Sequence, residues 1–303
     1  MYIHRASGNR KGSSSRSETV EDILAEMDEK MIGLENVKEK LKSFTAIARI
    51  RTLRFERDLP ADRINLHMVF HGPPGTGKTV MARKVGRLLK AVRALGRGDC
   101  VEVDRADLVA SYVGQTSTKT TEVVEKALGS VLFIDEAYTL TSQGASADPF
   151  GQEAVDTLLR LMENYRDQLV VIIAGYTDAI NDFIKSNDGL ASRFSHYVEF
   201  PSYAGDELKE IFLNMAKENQ VNIDEGALRV IERRIAEMAR NGRQDAKFGN
   251  ARAIRDFFET VLTAQSERLS TYPDLDSISN EELQHITEDD ARLAVERHYE
   301  ARK

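Results

Sequence analysis

From Met68 to Phe200 the apolar residues of this chain fall into two alternating patterns. Short runs such as Met68-Val69-Phe70, Val131-Leu132-Phe133-Ile134 and Leu169-Val170-Val171-Ile172-Ile173-Ala174 have the length of strands and leave no polar side for water. Val101-Glu102-Val103 reads as a further short strand, and Tyr197-Val198-Glu199-Phe200 closes the series. Between the runs, Met81, Val85, Leu88 and Val92, and later Ala154, Val155, Leu158, Leu161 and Met162, recur at helical spacing. Strands alternating with helices, several continuously apolar, predict an α/β fold: a parallel sheet covered by helices on both faces.

The pattern differs on either side of that stretch. Upstream, a short helix is expected over Glu21 to Met31 and a longer one along Val37, Leu41, Phe44 and Ala48, with Gly33 between them. Lys38, Lys40, Lys42, Arg49 and Arg51 then form a solvated face, and Leu59-Pro60-Ala61-Asp62 a loop. After Pro201 only helical stripes remain: Leu208, Ile211, Phe212 and Met215; Ile231, Ile235 and Met238; Ile254, Phe258, Val261 and Gln265. Thr287-Glu288-Asp289-Asp290 reads as the capped start of a last helix. The expected organisation is a disordered basic tail over 1–19, an α/β domain over 20–201 and a small all-α domain over 202–303.

Composition narrows the class. At 303 residues the chain exceeds what one core comfortably serves, about 250–300 residues, so two domains are expected. Charged residues make up 30% and the formal net charge is −7, with apolar runs far short of the ~20 residues of a membrane span. No membrane partner is expected, and the acidic balance argues against a protein that coats nucleic acid. The N-terminus carries no charged-then-apolar leader, and the single cysteine, Cys100, has no partner for an internal disulfide. A cytoplasmic location and a neutral thiol are expected.

Two motifs carry chemistry. Gly72-Pro73-Pro74-Gly75-Thr76-Gly77-Lys78-Thr79 fits the phosphate-loop template G-x-x-x-x-G-K-[ST] between a strand and a helix. Its backbone amides and the helix N-terminus suit phosphate oxygens, Lys78 reaches the terminal phosphates, and Thr79 is placed for Mg²⁺. The nucleotide set is Pro74, Gly75, Thr76, Gly77, Lys78, Thr79 and Val80, with Asp135. The second motif sets Asp135 and Glu136 at the end of the Val131-to-Ile134 strand. Asp135 positions Mg²⁺, and Glu136 polarises a water for attack on the γ-phosphate, favouring hydrolysis over a kinase reaction. No Asn-Lys-x-Asp guanine-reading sequence occurs, which disfavours a GTPase. Thr141 to Gly151, rich in Ser, Gly and Ala, is expected to be a loop. In Ser111-Tyr112-Val113-Gly114-Gln115-Thr116, local sequence favours a turn with Tyr112 packed inward.

The Walker A loop, the Walker B pair and the helical C-terminal part together resemble the AAA+ ATPases. Further motifs are similar to one branch, which contains the red-type Rubisco activase CbbX, the stage V sporulation protein K and the C-terminal ATPase of the type VII secretion protein EccA. They include Ser111 to Thr116, Asp135-Glu136-Ala137-Tyr138, Gly151-Gln152-Glu153-Ala154, Leu161-Met162-Glu163-Asn164, Ile173-Ala174-Gly175-Tyr176 and Leu190-Ala191-Ser192-Arg193-Phe194. The resemblance implies an AAA+ domain with a lid, ATP and Mg²⁺ as cofactors, and a homo-oligomer, a hexamer in its working state. It also implies a protein client, Rubisco among those of the branch.

By the same resemblance Ile32 and Gly33 pack on adenine, and Arg193 is an arginine finger reaching a neighbour's site. Arg252 matches the lid's sensor 2, with Arg255 as its rival, and Tyr112, Val113 and Gly114 match the pore loop that grips polypeptide. This reverses the inward packing that local sequence favours for Tyr112. Catalytic roles thus fall to Glu136, Arg193 and Arg252, and metal ligation to Thr79 and Asp135. The polar sensor 1 of many relatives passes to no named residue here, because the chain gives Gly175-Tyr176-Thr177-Asp178 at that point. His196 reads as structural. Two functions are compatible with such a site, a remodeller that threads a protein and an ATP-dependent assembly switch; a clamp-loader-like DNA machine ranks third.

Overall fold

The computed structural model of the chain describes residues 18–60, 65–112, 114–141, 148–242, 245 and 248–300. Two helices come first, α1 (Val20–Lys30) and α2 (Glu35–Glu56). Thr19 and Asp22 cap α1 reciprocally, each side chain accepting from the other's amide. The chain then runs β1 (Met68–His71), α3 (Lys78–Ala91), β2 (Cys100–Val103), α4 (Arg105–Leu108), α5 (Thr116–Lys126), β3 (Val131–Ile134), α6 (Pro149–Asn164), β4 (Val170–Gly175), α7 (Thr177–Lys185), α8 (Asp188–Arg193) and β5 (His196–Glu199).

The five strands form one parallel sheet in the order β2-β3-β4-β1-β5. β1 leads to β2 on one side while β4 leads to β5 on the other, so the chain reverses direction beside the carboxyl end of β1. Such a switch point opens a crevice where ligands bind in open α/β sheets. The unbroken apolar runs follow from burial on both faces. Met68, Phe70, Val131, Phe133, Val170 and Ile172 pack into one core, while Val69, Leu132, Ile134, Val171 and Ile173 pack into another.

Beyond Pro201 come α9 (Gly205–Glu218), β6 (Asn222–Ile223), α10 (Glu225–Gly242), α11 (Ala251–Ser270), α12 (Asn280–Gln284), β7 (His285–Ile286) and α13 (Glu288–Glu300). The first sheet core continues into these helices, since Phe212, Ile231, Ile254 and Phe257 belong to the same cluster as Phe70 and Phe200. Thr287 and Asp290 cap α13 reciprocally, as the sequence suggests.

Four local expectations are corrected. The C-terminal part is not helical throughout, because β6 and β7 pair in a two-residue parallel ladder. Lys38 does not lie on a solvated face: it is 3% exposed, and its ammonium donates to Glu35 at 3.0 Å. Gly151 lies inside α6, which starts at Pro149 because Asp148 accepts from the Phe150 amide at its N-terminus. Tyr112 is not packed inward but 71% exposed. Of the expected tail, Glu18 pairs with Arg87 and Thr19 caps α1, while 1–17 lie outside the described residues, as do 61–64 and 142–147. Among the described residues no helix is long and apolar enough to cross a membrane.

Candidate nucleotide-binding and catalytic site

The loop between β1 and α3 borders a cavity of about 940 Å³ at the switch point. Gly75 has φ +69°, and a Cβ there would stand 1.9 Å from the Gly249 carbonyl oxygen. Only glycine lets the lid backbone come so close to the phosphate loop. The contact is a bonded one, since Ala251 N donates to Gly75 O at 3.1 Å. Within the loop the Thr76 hydroxyl donates to Pro73 O at 2.9 Å, and Lys78 Nζ donates to Gly72 O at 2.9 Å and Pro73 O at 2.7 Å.

Burial lowers the Lys78 ammonium from 10.5 to about 8, with Asp135 opposing that shift and Arg252 adding to it. The charge is therefore poorly compensated by the protein alone, and an anionic ligand would stabilise it. Thr79, Asp135, Glu136, Arg252 and Arg255 stand on the same cavity wall, with Val80 beside them. The structure thus brings both rival lid arginines to the site. Thr79 and Asp135 offer hard oxygen donors of the type Mg²⁺ takes. The apolar part of the wall is Met31, Ile32, Tyr203, Ile211 and Met215, suited to a flat base. Gly33 stands against Glu207, which accepts from Ala204 N at the start of α9.

Asp135 extends the sheet by donating its amide to Val103 O at 3.0 Å, and its carboxylate accepts from Glu136 N at 3.0 Å. Glu136 sits at φ +46°, uncommon for a residue with a Cβ, and its carbonyl accepts from the Thr139 amide and hydroxyl, both at 2.8 Å. The exposed carboxylate is thereby turned out of the strand by a bonded turn rather than by the strand itself.

Tyr138 was not singled out by its position in the sequence. Its ring lies so close to Gly175 that a Cβ there would meet Cδ1 at 2.8 Å, and it pairs with Tyr176 at 6.1 Å. Burial first, then the Glu136 charge, pushes the Tyr138 phenol up to about 12, so a neutral hydroxyl faces the carboxylate. The signal was the glycine of Ala174-Gly175-Tyr176, which makes room for that ring. Just after β4, Thr177 Oγ1 lies 3.3 Å from His71 Nδ1. His196 is structural, at 2.9 Å from Asn65 O and edge-on to Phe44, and burial pushes the Cys100 thiol up to about 12, where it stays protonated.

Of the predicted residues, Gly33 and Thr76 do not line this cavity, and Arg193, Tyr112 and Gly114 lie away from it. Arg193, at the end of α8, pairs through Nη2 with Glu163 Oε2 at 2.9 Å, and its buried Nε has no hydrogen-bond partner among the described residues. Tyr112 tips the segment between α4 and α5. The stem of that segment is held by Lys119 Nζ donating to Ala106 O and Val109 O, at 2.6 and 3.1 Å. Gly114 has φ +81° and open space around it, and Val113 lies outside the described residues.

Comparison with known proteins agrees with this geometry. The ATPase family associated with various cellular activities (AAA) matches residues 68–202, and the AAA lid domain matches residues 204–301. Protein CbxX (plasmid) of Cupriavidus necator is 40% identical over 260 residues, covering 84% of this chain and 79% of its own. CfxQ of Xanthobacter flavus is 42% identical over 250 residues, covering 82% and 77%. The ESX-1 secretion system protein EccA1 of Mycolicibacterium smegmatis is 40% identical over 288 residues, which are 93% of this chain but 50% of that one. The chain thus spans about half the length of the EccA1 proteins it matches. Among solved structures, a Thermotoga maritima RuvB mutant superposes with a TM-score of 0.57 over 89% of this chain and 71% of its own, at 20% identity, a likeness of fold. With a phosphate-loop cavity whose wall includes Arg252 and Arg255 of the lid, and with relatives of 40% identity or more covered over three quarters of their length, the chain belongs to the AAA ATPases, beside the CbxX and CfxQ proteins.

Proposed function

We propose that this chain is a cytoplasmic, Mg²⁺-dependent ATPase that works as a ring, a hexamer in the family's manner, and uses hydrolysis to remodel a protein client, Rubisco in the reading closest to CbbX. The observation that carries the remodelling part is Tyr112, a large aromatic side chain 71% exposed on a stem braced from within. A single exposed ring is ordinary on a protein surface, so the weight rests on its place in Tyr112-Val113-Gly114, the stretch that resembles the polypeptide-gripping loop of the family. In the ATPase part, Lys78 exchanges its two loop carbonyls for phosphate oxygens, and Glu136 orients the attacking water and accepts its proton. Mg²⁺ held by Thr79 and Asp135 would offset phosphate charge. The second reading, an assembly switch of the secretion type, is favoured by the identity to EccA1, as high as that to CbxX.

Tyr112→Ala separates the two. As a remodeller, the variant keeps nucleotide affinity, assembly and basal turnover but loses the stimulation of turnover by unfolded or extended polypeptides. Its thermal melt stays near wild type, because an exposed ring carries little of the ~3–5 kcal/mol that truncating a buried aromatic costs. Unchanged stimulation with an unchanged melt would put the switch ahead.

The lowered Lys78 gives a second test, in pH. Anionic phosphate favours the charged ammonium, so ADP affinity is expected to be flat below about pH 8 and to fall above it, by up to about tenfold per pH unit. The nucleotide-free protein responds in the opposite sense. Between about pH 8 and 10.5 the unfolded chain holds a proton that the folded chain has released, so this group's contribution to stability grows as pH rises through that window. Fluorescence titration of ADP across pH 7 to 9.5 measures the first effect; an affinity that stayed level to pH 9.5 would place Lys78 away from the phosphates.

A further inference from the structure

Asn250 stands where the phosphate loop, the linker after β5 and the lid meet. It is fully buried, at 0% exposure. Its side chain uses both ends: Oδ1 accepts from Tyr203 N at 3.0 Å, and Nδ2 donates to Pro74 O at 3.1 Å and to Phe248 O at 3.0 Å. The partners are backbone groups of the linker, the phosphate loop and the turn before α11. Its backbone, at φ 45° and ψ −123°, occupies a region that residues with a Cβ rarely adopt. Asparagine is also a favoured helix N-cap, whose side chain ordinarily accepts from the first turn. Here it makes no such bond, and the first amide of α11, that of Ala251, goes to Gly75 O instead. Both departures from an ordinary helix start are turned toward the phosphate loop.

The amide fits this place by chemistry. It supplies one acceptor and two donors at a fixed length, whereas Asp has no donor for either carbonyl and Gly has no side chain. Holding Pro74 O also fixes the Gly75 N–H, because the two point in opposite directions across a planar trans peptide. Two residues beyond Asn250, Arg252 reaches the wall that carries Lys78.

We propose that Asn250 is a positioning residue that fastens the lid to the phosphate loop, fixing together the direction of the Gly75 amide and the place of Arg252. This rests on the nucleotide-hydrolysis reading above. Asn250 touches no phosphate itself; it acts through the two groups it orients.

The test compares Asn250→Gly, which accepts the backbone conformation and removes all three bonds, with Asn250→Asp, which keeps the acceptor to Tyr203 N and loses the donor to Pro74 O. Each is measured for ADP affinity and for ATP turnover, alone and combined with Arg252→Ala, and hydrogen exchange of the nucleotide-free protein is followed in peptides that contain the Ala251 amide. Both variants are expected to weaken ADP binding about tenfold, the equivalent of one hydrogen bond's net worth. Exchange at Ala251 should accelerate, although no side-chain bond of Asn250 protects that amide directly. The loss in turnover on adding Arg252→Ala should be smaller than the product of the single losses, because both changes displace the same arginine. Unchanged ADP affinity and Ala251 exchange in both variants, or fully multiplicative losses, would overturn the proposal and leave Asn250 a local structural residue. If the wild type bound ADP but did not turn over ATP, the hydrolysis reading would fail alone, and affinity and exchange would still decide the role of Asn250.

Discussion

Glu136→Gln is expected to bind ATP with near wild-type affinity and to lose hydrolysis by about 10²–10⁴-fold, the range of a positioned general base. The separation follows from how the two Walker B acids are held. Asp135 continues the sheet through its bond to Val103 O, and its carboxylate is tied to the Glu136 amide, which the substitution leaves intact. Glutamine has the shape of Glu136 and keeps the left-handed turn bonded to Thr139, so metal and nucleotide ligation stand while the proton acceptor is lost. Lys78→Ala is the contrasting control. It removes the half-buried cation that anchors the loop carbonyls of Gly72 and Pro73, and nucleotide affinity is expected to fall with it. Equilibrium binding of ATP beside steady-state turnover measures the pair. Glu136→Gln turning over at the wild-type rate would take water activation away from this carboxylate and give it to another group on the wall.

The parts of this architecture that were legible in the sequence are those set by burial on two sides. Val131 to Ile134 and Leu169 to Ala174 could be read as strands because both faces of the sheet are covered, and alternate residues enter opposite cores. The phosphate loop was legible because its glycines, its lysine and its threonine each answer a separate demand of a phosphate. What escaped local reading depends on groups distant in sequence. The exposure of Tyr112 is a property of the stem that Lys119 braces, and nothing in its neighbours distinguishes it from a packed ring. Lys38 lies in a run of cations that reads as solvated, yet one of them is buried against Glu35. Gly175 and Glu163 were legible only as parts of family motifs. The structure supplies their reasons, room for the Tyr138 ring in one case and a partner for Arg193 in the other.

Arg193→Ala is expected to lower hydrolysis by about 10³–10⁵-fold, as loss of an arginine finger does in other nucleotide hydrolases, while the isolated subunit still binds nucleotide. Within one chain Arg193 is not on the cavity wall but at the end of α8, held by Glu163. Among the described residues it lines no part of its own chain's cavity, and its side chain is 29% exposed, so the guanidinium can be approached from outside the chain. A neighbouring subunit's nucleotide is the proposed use, and the effect must then cross between chains. Mixing Arg193→Ala with Lys78→Ala subunits tests this. Each is inactive alone, but a ring containing both has interfaces where an intact Lys78 cavity meets an intact Arg193, and turnover should recover in part, rising and falling with the mixing ratio. Mixed rings confirmed by native mass spectrometry that show no recovery at any ratio would confine Arg193 to its ion pair with Glu163, and the site would then have to be complete within one chain.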